Sequence, residues 1–309
     1  MNAKIRVLVL VSCMLAIFTK ACFSTSKQSV SSPYVVFLGT GAADIDTPKV
    51  DNCEFCTYIR KHGGKNWRRF SSLYISPNIV IDFSTTGMES LSNANIRPGD
   101  IGYLLITHSH GDHCNPSSIV TLAKSSWELS GRKLQVFCNS KVGQIIRGYV
   151  DGLREGVPID VKEIKPYQEF QVGEWSCIAL AGNHAADEDC LLYLFQKEGY
   201  GIFYATDTTW FPVRTFQEVA NRKLNLVVVE ATFGPKTDAE LLIGHMNFDF
   251  ARKIKEYLVK KRCLDPYGVF ALTHLSLHHC PPYGLLHGKM AAEGILIPYD
   301  GQKLLLRSR

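Results

Sequence analysis

The stretch Leu104-Leu105-Ile106-Thr107-His108-Ser109-His110-Gly111-Asp112-His113 decides how the rest of the chain is read. Its first half is a run of consecutive apolar residues, the pattern of a strand buried on both faces. The end of such a strand delivers the polar residues that follow to a sheet edge, where a loop can aim them at one point. Imidazole and carboxylate are the groups that borderline divalent ions take as ligands, and His-x-His-x-Asp-His places four of them within residues 108–113. A lone histidine is ordinarily a surface or hydrogen-bonded core residue. Three of them with an aspartate, in this order after a buried strand, point to metal.

Three later residues follow the same logic. His184 comes shortly after an expected strand over 174–179, Asp207 after one over 201–205, and His274 after one over 268–273. Together with His108, His110, Asp112 and His113 they exceed the needs of one tetrahedral ion. A carboxylate such as Asp207 can bridge two ions ~3.5–4 Å apart, the spacing of two-metal hydrolases. The expectation is therefore two divalent metal ions, and the histidine and carboxylate donors suit Zn, Mn and Fe alike.

The surrounding sequence fits one enzyme-sized domain. The 309 residues are 46% hydrophobic and 20% charged, enough for a substantial core and without low-complexity disorder. Strands are expected over 34–38, 72–76, 79–82, 101–107, 135–138, 174–179, 191–196, 201–205, 226–230, 268–273 and 303–306. Helices are expected over 116–129, 141–154, 212–221 and 248–262, the last capped by Asn247. Strands with two helices, followed by a second half on the same plan, predict an α/β fold: an αββα sandwich of two mixed β-sheets with helices outside. The basic tract from 252 to 262 alternates with Ile254, Tyr257 and Leu258 at helical spacing and reads as a solvated helix face.

The first residues read differently. Lys4 and Arg6 precede an apolar run over 7–18 and then small and polar residues, the order of a secretory signal peptide, and the run is well short of the ~20 residues of a spanning helix. We assign 1–24 as a signal peptide, 25–33 as a Ser-rich linker and 34–309 as the hydrolase domain. Ala21-Cys22 resembles a bacterial lipoprotein processing site, so export to a periplasmic or membrane-anchored location is expected, with a lipid on Cys22 as the sole membrane contact. Without Lys4, Arg6 and Lys20 the chain has 31 basic against 29 acidic residues, a balance that gives no sign of a nucleic-acid partner. Of ten cysteines, Cys13 and Cys22 fall in the leader. Several of the rest sit in apolar strand-like contexts as small buried hydrophobes.

This order of motifs resembles the metallo-β-lactamase superfamily from about Tyr34 to the end. The opening Phe37-Leu38-Gly39-Thr40-Gly41 and the closing Pro298-Tyr299-Asp300-Gly301 also match it. The resemblance implies that His108, His110 and His184 hold one ion, that Asp112, His113 and His274 hold the other, and that Asp207 bridges. Val229-Glu230-Ala231-Thr232-Phe233 and Gly244-His245-Met246-Asn247 resemble the phosphodiesterase branch, shared by tRNA 3′-processing endonucleases and phosphoribosyl cyclic phosphodiesterases. It implies His245 as general acid, Glu230 as its orienting carboxylate, and Asp112 as a ligand that also belongs to the catalytic set. An alkoxide leaving group needs such an acid, and an imidazole beside a carboxylate keeps its proton near neutral pH.

Asp51-Asn52-Cys53-Glu54-Phe55-Cys56 and Arg68-Arg69-Phe70-Ser71-Ser72 are most similar to the phosphoribosyl cyclic phosphodiesterase type, which implies a third, structural zinc. Cys53 and Cys56 have its spacing, and His278, His279 or Cys280 would complete it, with His278 preferred; the family's additional upstream Cys falls near Asp51. A Cys53–Cys56 disulfide is the competing reading in an exported protein. The expected substrate is a small phosphodiester, a cyclic one included, and a homodimer is left open. The chain lacks the long tRNA-clasping insertion of the endonucleases. Two alternatives remain: a lactone or thioester hydrolase of the same fold, and a non-catalytic binding protein resembling the B protein of pyrroloquinoline quinone biosynthesis, whose metal motif is degraded where this chain keeps all seven ligands.

Overall fold

A computed structural model describes residues 32–237 and 243–307. The expected signal peptide, with Cys22, and nearly all of the linker lie outside the described residues. In chain order the elements are β1 (Tyr34–Gly39), α1 (Thr47–Val50), α2 (Glu54–His62), β2 (Ser72–Ile75), β3 (Ile79–Ile81), α3 (Gly87–Asn93), β4 (Tyr103–Leu105), α4 (Pro116–Ser130), β5 (Leu134–Cys138), α5 (Ser140–Asp151), β6 (Ile159–Glu163), β7 (Glu169–Val172), β8 (Trp175–Ala181), β9 (Leu191–Lys197), β10 (Tyr200–Ala205), α6 (Val213–Ala220), β11 (Leu224–Glu230), α7 (Phe248–Lys260), β12 (Leu264–Thr273), α8 (Tyr283–Ala292) and β13 (Gln302–Leu305).

The strands form two mixed sheets, ordered β13-β1-β2-β3-β4-β5-β6 and β12-β11-β10-β9-β8-β7. Three apolar layers follow from them. One lies between the sheets, where Phe37, Leu73, Ile75 and Leu105 meet Tyr193, Phe195, Tyr204 and Val228. A second joins the first sheet to α3, α4 and α5 through Leu91, Ile119, Leu122, Val142 and Ile146. The third joins the other sheet to α6, α7 and α8 through Phe216, Val219, Ile254, Leu258, Leu286 and Met290. This is the expected αββα sandwich. On α7 the buried positions are Phe248, Ala251, Ile254 and Leu258, which leaves Lys253 and Lys260 in solvent as read from the basic tract.

The structure corrects several details. The strand expected over 101–107 is only Tyr103–Leu105. Gly102 and Tyr103 both donate their N–H to Asn78, and the Thr107 N–H is taken by the Asp82 carboxylate instead of a neighbouring strand. β6 and β7 escaped the reading because they are polar and lie at sheet edges, with Val172 the one buried residue of the two. The second half does not wholly repeat the first, since β13 returns to pair antiparallel with β1. No helix among the described residues is long and apolar enough to cross a membrane.

Topology gathers the site. β3, β4 and β5 run parallel, as do β10, β11 and β12. β8 points the same way as β10 because each is antiparallel to β9. The carboxyl ends of β3, β4, β8, β10, β11 and β12 therefore carry Asp82, the 108–113 loop, His184, Asp207, Glu230 and His274.

Candidate metal centre

Three histidines form the first group. Ligand atoms of His108, His110 and His184 lie within 4.8 Å of one another. His184 donates Nδ1–H to the Gly244 carbonyl at 2.7 Å, which fixes the tautomer and leaves Nε2, 3.1 Å from His110 Nδ1, as the free lone pair. Gly244 has φ +80°, and a Cβ there would sit 3.0 Å from His184 Nδ1, so this contact requires glycine. Burial, and then the neighbouring His113, hold His108 well below the ordinary imidazole range.

The second group is Asp112, His113 and His274, also within 4.8 Å. Asp82 accepts from His113 Nδ1 at 2.8 Å. Thr232 Oγ1 accepts from His274 Nδ1 at 2.8 Å and donates to Glu230 Oε2 at 2.5 Å. With both Nδ1 atoms engaged, the two Nε2 atoms face each other at 3.2 Å. Asp207 lies between the groups: Oδ2 is 2.6 Å from His113 Nε2, and Oδ1 is 3.3 Å from His274 Nε2 and 3.9 Å from His184 Nε2.

Divalent cations fit these residues. Ring nitrogens and carboxylate oxygens of both groups converge within ligand distance of one another, and His108 Nε2 is buried without a hydrogen-bond partner, a cost that a ligand would remove. The backbone is also bent to the purpose. Asp82, Asp207 and His274 have φ of 60°, 50° and 52°, a left-handed conformation that costs a non-glycine residue roughly 1–3 kcal/mol and persists where the fold over-determines it.

Beside the ligands stands a proton-holding pair. Glu230 is fully buried and its carboxylate accepts from Thr208 N (2.6 Å), Met246 N (3.1 Å), Thr232 Oγ1 and His245 Nδ1 (3.0 and 3.2 Å). Burial opposes its charge, yet the His245 imidazole brings Glu230 below the ordinary carboxylate range. His245 is desolvated too, and the Glu230 carboxylate outweighs that, holding the ring at about 9. Its Nδ1 is engaged, so Nε2 is left for the cavity of 290 Å³ that His245 lines with His110, Asp112, His184, Asp207 and His274.

The sequence profile of the family described as "Beta-lactamase superfamily domain" matches residues 78–264, more than half of the chain and most of this site. The chain belongs to the metallo-β-lactamase superfamily. Solved structures of the same fold include a diphosphatase from the PhnP family (TM-score 0.68, 18% identity, 89% of this chain and 98% of that one). Human tRNase Z, short form, superposes with a TM-score of 0.65 at 17% identity over 89% and 99% of the two chains. Zinc-bound PqqB from Methylobacterium extorquens gives 0.67 at 14% identity over 88% and 99%. At such identities the likeness shows the fold. No curated protein matches the sequence significantly.

The early Cys loop of this metallo-β-lactamase-superfamily chain also gathers. Ligand atoms of Asp51, Cys53, Cys56 and His278 lie within 4.8 Å, and His278 Nδ1 is buried without a hydrogen-bond partner. Asp51 thus occupies the place where the resemblance expected a further cysteine. Cys53 caps α2, its Sγ accepting from Cys56 N at 3.3 Å. All eight cysteines among the described residues are free, so the Cys53–Cys56 disulfide is not formed. Cys280 does not join the group: its thiol donates to the Ala231 and Thr232 carbonyls. His279 turns instead to the cavity lined by His110, His184 and His274.

Four supporting residues went unread in the sequence. Asp82 and Thr232 orient His113 and His274, and Thr107 binds Asp82 through both N–H and hydroxyl. The Glu188 side chain is fully buried and accepts from Ser109 N and Oγ and from Asn139 Nδ2, which ties the 108–113 loop to the segment carrying His184. Only Asp82 had a signal, a carboxylate ending an apolar strand.

Proposed function

We propose that this chain is a metal-dependent phosphodiesterase that cleaves a small phosphodiester, cyclic ones included. His108, His110 and His184 would hold one divalent ion, Asp112, His113 and His274 a second, and Asp207 would serve both. Ions held there supply a water nucleophile at neutral pH and neutralise charge on the phosphoryl oxygens. The observation that carries the reading is the buried Glu230 against His245 Nδ1 at 3.0 Å, with His245 lining the cavity of the ligands. A carboxylate with no exposure keeps an imidazole protonated, and the free Nε2–H is placed to protonate a departing alkoxide. Hydrolysis of a lactone or thioester has less need of an acid at this point. Two of the solved structures of similar fold, the diphosphatase and tRNase Z, bear names from phosphorus chemistry.

The proposal extends to a zinc ion at Asp51, Cys53, Cys56 and His278, and to export through residues 1–24 with a lipid on Cys22.

The leaving group tests the acid. A nitrophenolate departs unaided and a ribose alkoxide does not, and general acid catalysis contributes ~10²–10⁴-fold. His245→Ala should lower hydrolysis of a 2′,3′-cyclic nucleotide by that factor and that of bis(p-nitrophenyl) phosphate far less, with metal content unchanged. Glu230→Gln should act in the same direction, more weakly. Equal losses on the two substrates would remove the acid role, and turnover of a lactone or thioester with no diester cleaved would install the alternative.

A further inference from the structure

The catalytic cavity has a wall that the chemistry so far leaves unused. Phe233 and His279, both half-buried, line it beside the ligands. Their ring centroids are 5.6 Å apart at 59°, and Phe233 meets the His245 ring edge-on at 5.7 Å and 85°. Phe233 lies three residues beyond β11, its N–H bonded to the Met246 carbonyl at 3.1 Å, so the turn that follows Glu230 fixes it. His279 is fixed from another direction. Asp44 accepts from Ser276 Oγ (2.6 Å), Leu277 N (3.1 Å) and His278 N (3.1 Å), and the same Ser276 hydroxyl accepts from His279 N at 2.9 Å. The Asp44 carboxylate is thereby spent on the loop and offers little to a ligand.

No lysine or arginine lines the cavity among the described residues, and Ala42 and Ala43 add only methyl groups. Among the described lining residues, the ring pair is therefore the feature suited to a contact beyond the reacting phosphate. Aromatic side chains bind flat heterocycles by stacking, with little regard to their hydrogen-bonding edges.

We infer that Phe233 and His279 form an aromatic platform that selects phosphodiesters carrying a planar ring close to the scissile phosphate, as a nucleoside cyclic phosphate does. This rests on the diesterase reading and narrows its substrate class.

Adenosine 2′,3′-cyclic phosphate and methyl ribofuranoside 2′,3′-cyclic phosphate share the reacting group and differ in the ring, so their kcat/KM ratio on metal-loaded protein reads the platform. The ratio should be roughly tenfold in favour of adenosine and carried by KM. It should fall to about one in Phe233→Leu and in His279→Leu, and survive in Phe233→Trp, which keeps a ring. Calorimetric titration with AMP and ribose 5-phosphate gives a readout without turnover: AMP should bind native protein more tightly, and the difference should vanish in Phe233→Leu. A ratio of one on native protein, or a ratio unchanged in both leucine variants, would overturn the platform while leaving the diesterase reading intact. Cleavage of neither cyclic phosphate would overturn both.

Discussion

Asp207 and Asp82 carry different burdens at the centre. Asp207 faces both histidine groups, so Asp207→Ala should lose both ions, read as elemental content of purified protein, together with activity. Full metal retention in that variant would remove the bridging role. Asp82 instead holds His113 by Nδ1, while the loop residue Thr107 holds Asp82 in turn. Such outer contacts are worth about 10–100-fold in metal affinity. Asp82→Asn should therefore weaken metal binding by that range in a chelator competition, without altering the number of ions bound at saturation. Histidines and acids after apolar strands were legible in the sequence because ligand chemistry restricts residue type. Thr232 and Glu188 were not, since a threonine or glutamate in a loop has no such restriction and their partners are set by the fold.

Helices α4 and α5 begin on asparagine caps, and the two caps should differ in weight. Asn115 accepts from Ser118 N at 2.9 Å and makes α4's first turn, so Asn115→Ala should cost about 1 kcal/mol. Asn139 caps α5 through Val142 N at 2.8 Å, and its amide also donates to the buried Glu188 and to the Asp189 carbonyl. Removing it strips a buried carboxylate of a partner as well, so Asn139→Ala should cost about 2–3 kcal/mol in denaturant unfolding. A smaller loss at Asn139 than at Asn115 would mean that water replaces the amide at Glu188. Long amphipathic helices such as α5 and α7 were readable from their periodicity. The short α3 and the weakly patterned α8, with only Leu286 and Met290 buried, were not.

Asp300 joins the two ends of the domain. It accepts from Thr40 Oγ1 at 2.8 Å and Arg69 N at 2.5 Å, while Arg68 beneath it reaches Thr40 and the Pro298 carbonyl. Burial outweighs these donors and raises its carboxyl from 3.8 to about 6. A folded-state value above the unfolded one means that the folded protein binds this proton more tightly. Its contribution to stability is then fully present below about pH 4 and is lost as pH rises through about 6, on the order of 3 kcal/mol across the window. Measured against Asp300→Asn, which does not titrate, native stability should fall over that range; a flat or rising difference would show that the carboxylate is charged throughout. Export is tested at the other end of the chain. Mature protein from its native host should lack Met1 to about Ala21 and carry a lipid mass on Cys22, and an intact cytoplasmic N-terminus would refute it.

Composition, strand pattern and ligand order were enough to read the αββα class and the seven candidate ligands from the sequence, because a buried strand must be apolar and a metal ligand must be imidazole or carboxylate. Which ligands stand together was implied beforehand only by the family resemblance, and the distances that group them were decided in three dimensions. His113 and His274 are 161 positions apart and meet because β4 and β12 end at the same edge of the sandwich. The choice of Asp51 and His278 over Cys280 for the second cluster, the meeting of Phe233 with His279, and the grip of Asp82 on His113 have the same origin. They are contacts between strand ends and loops, where no periodicity is imposed and only packing sets the distance.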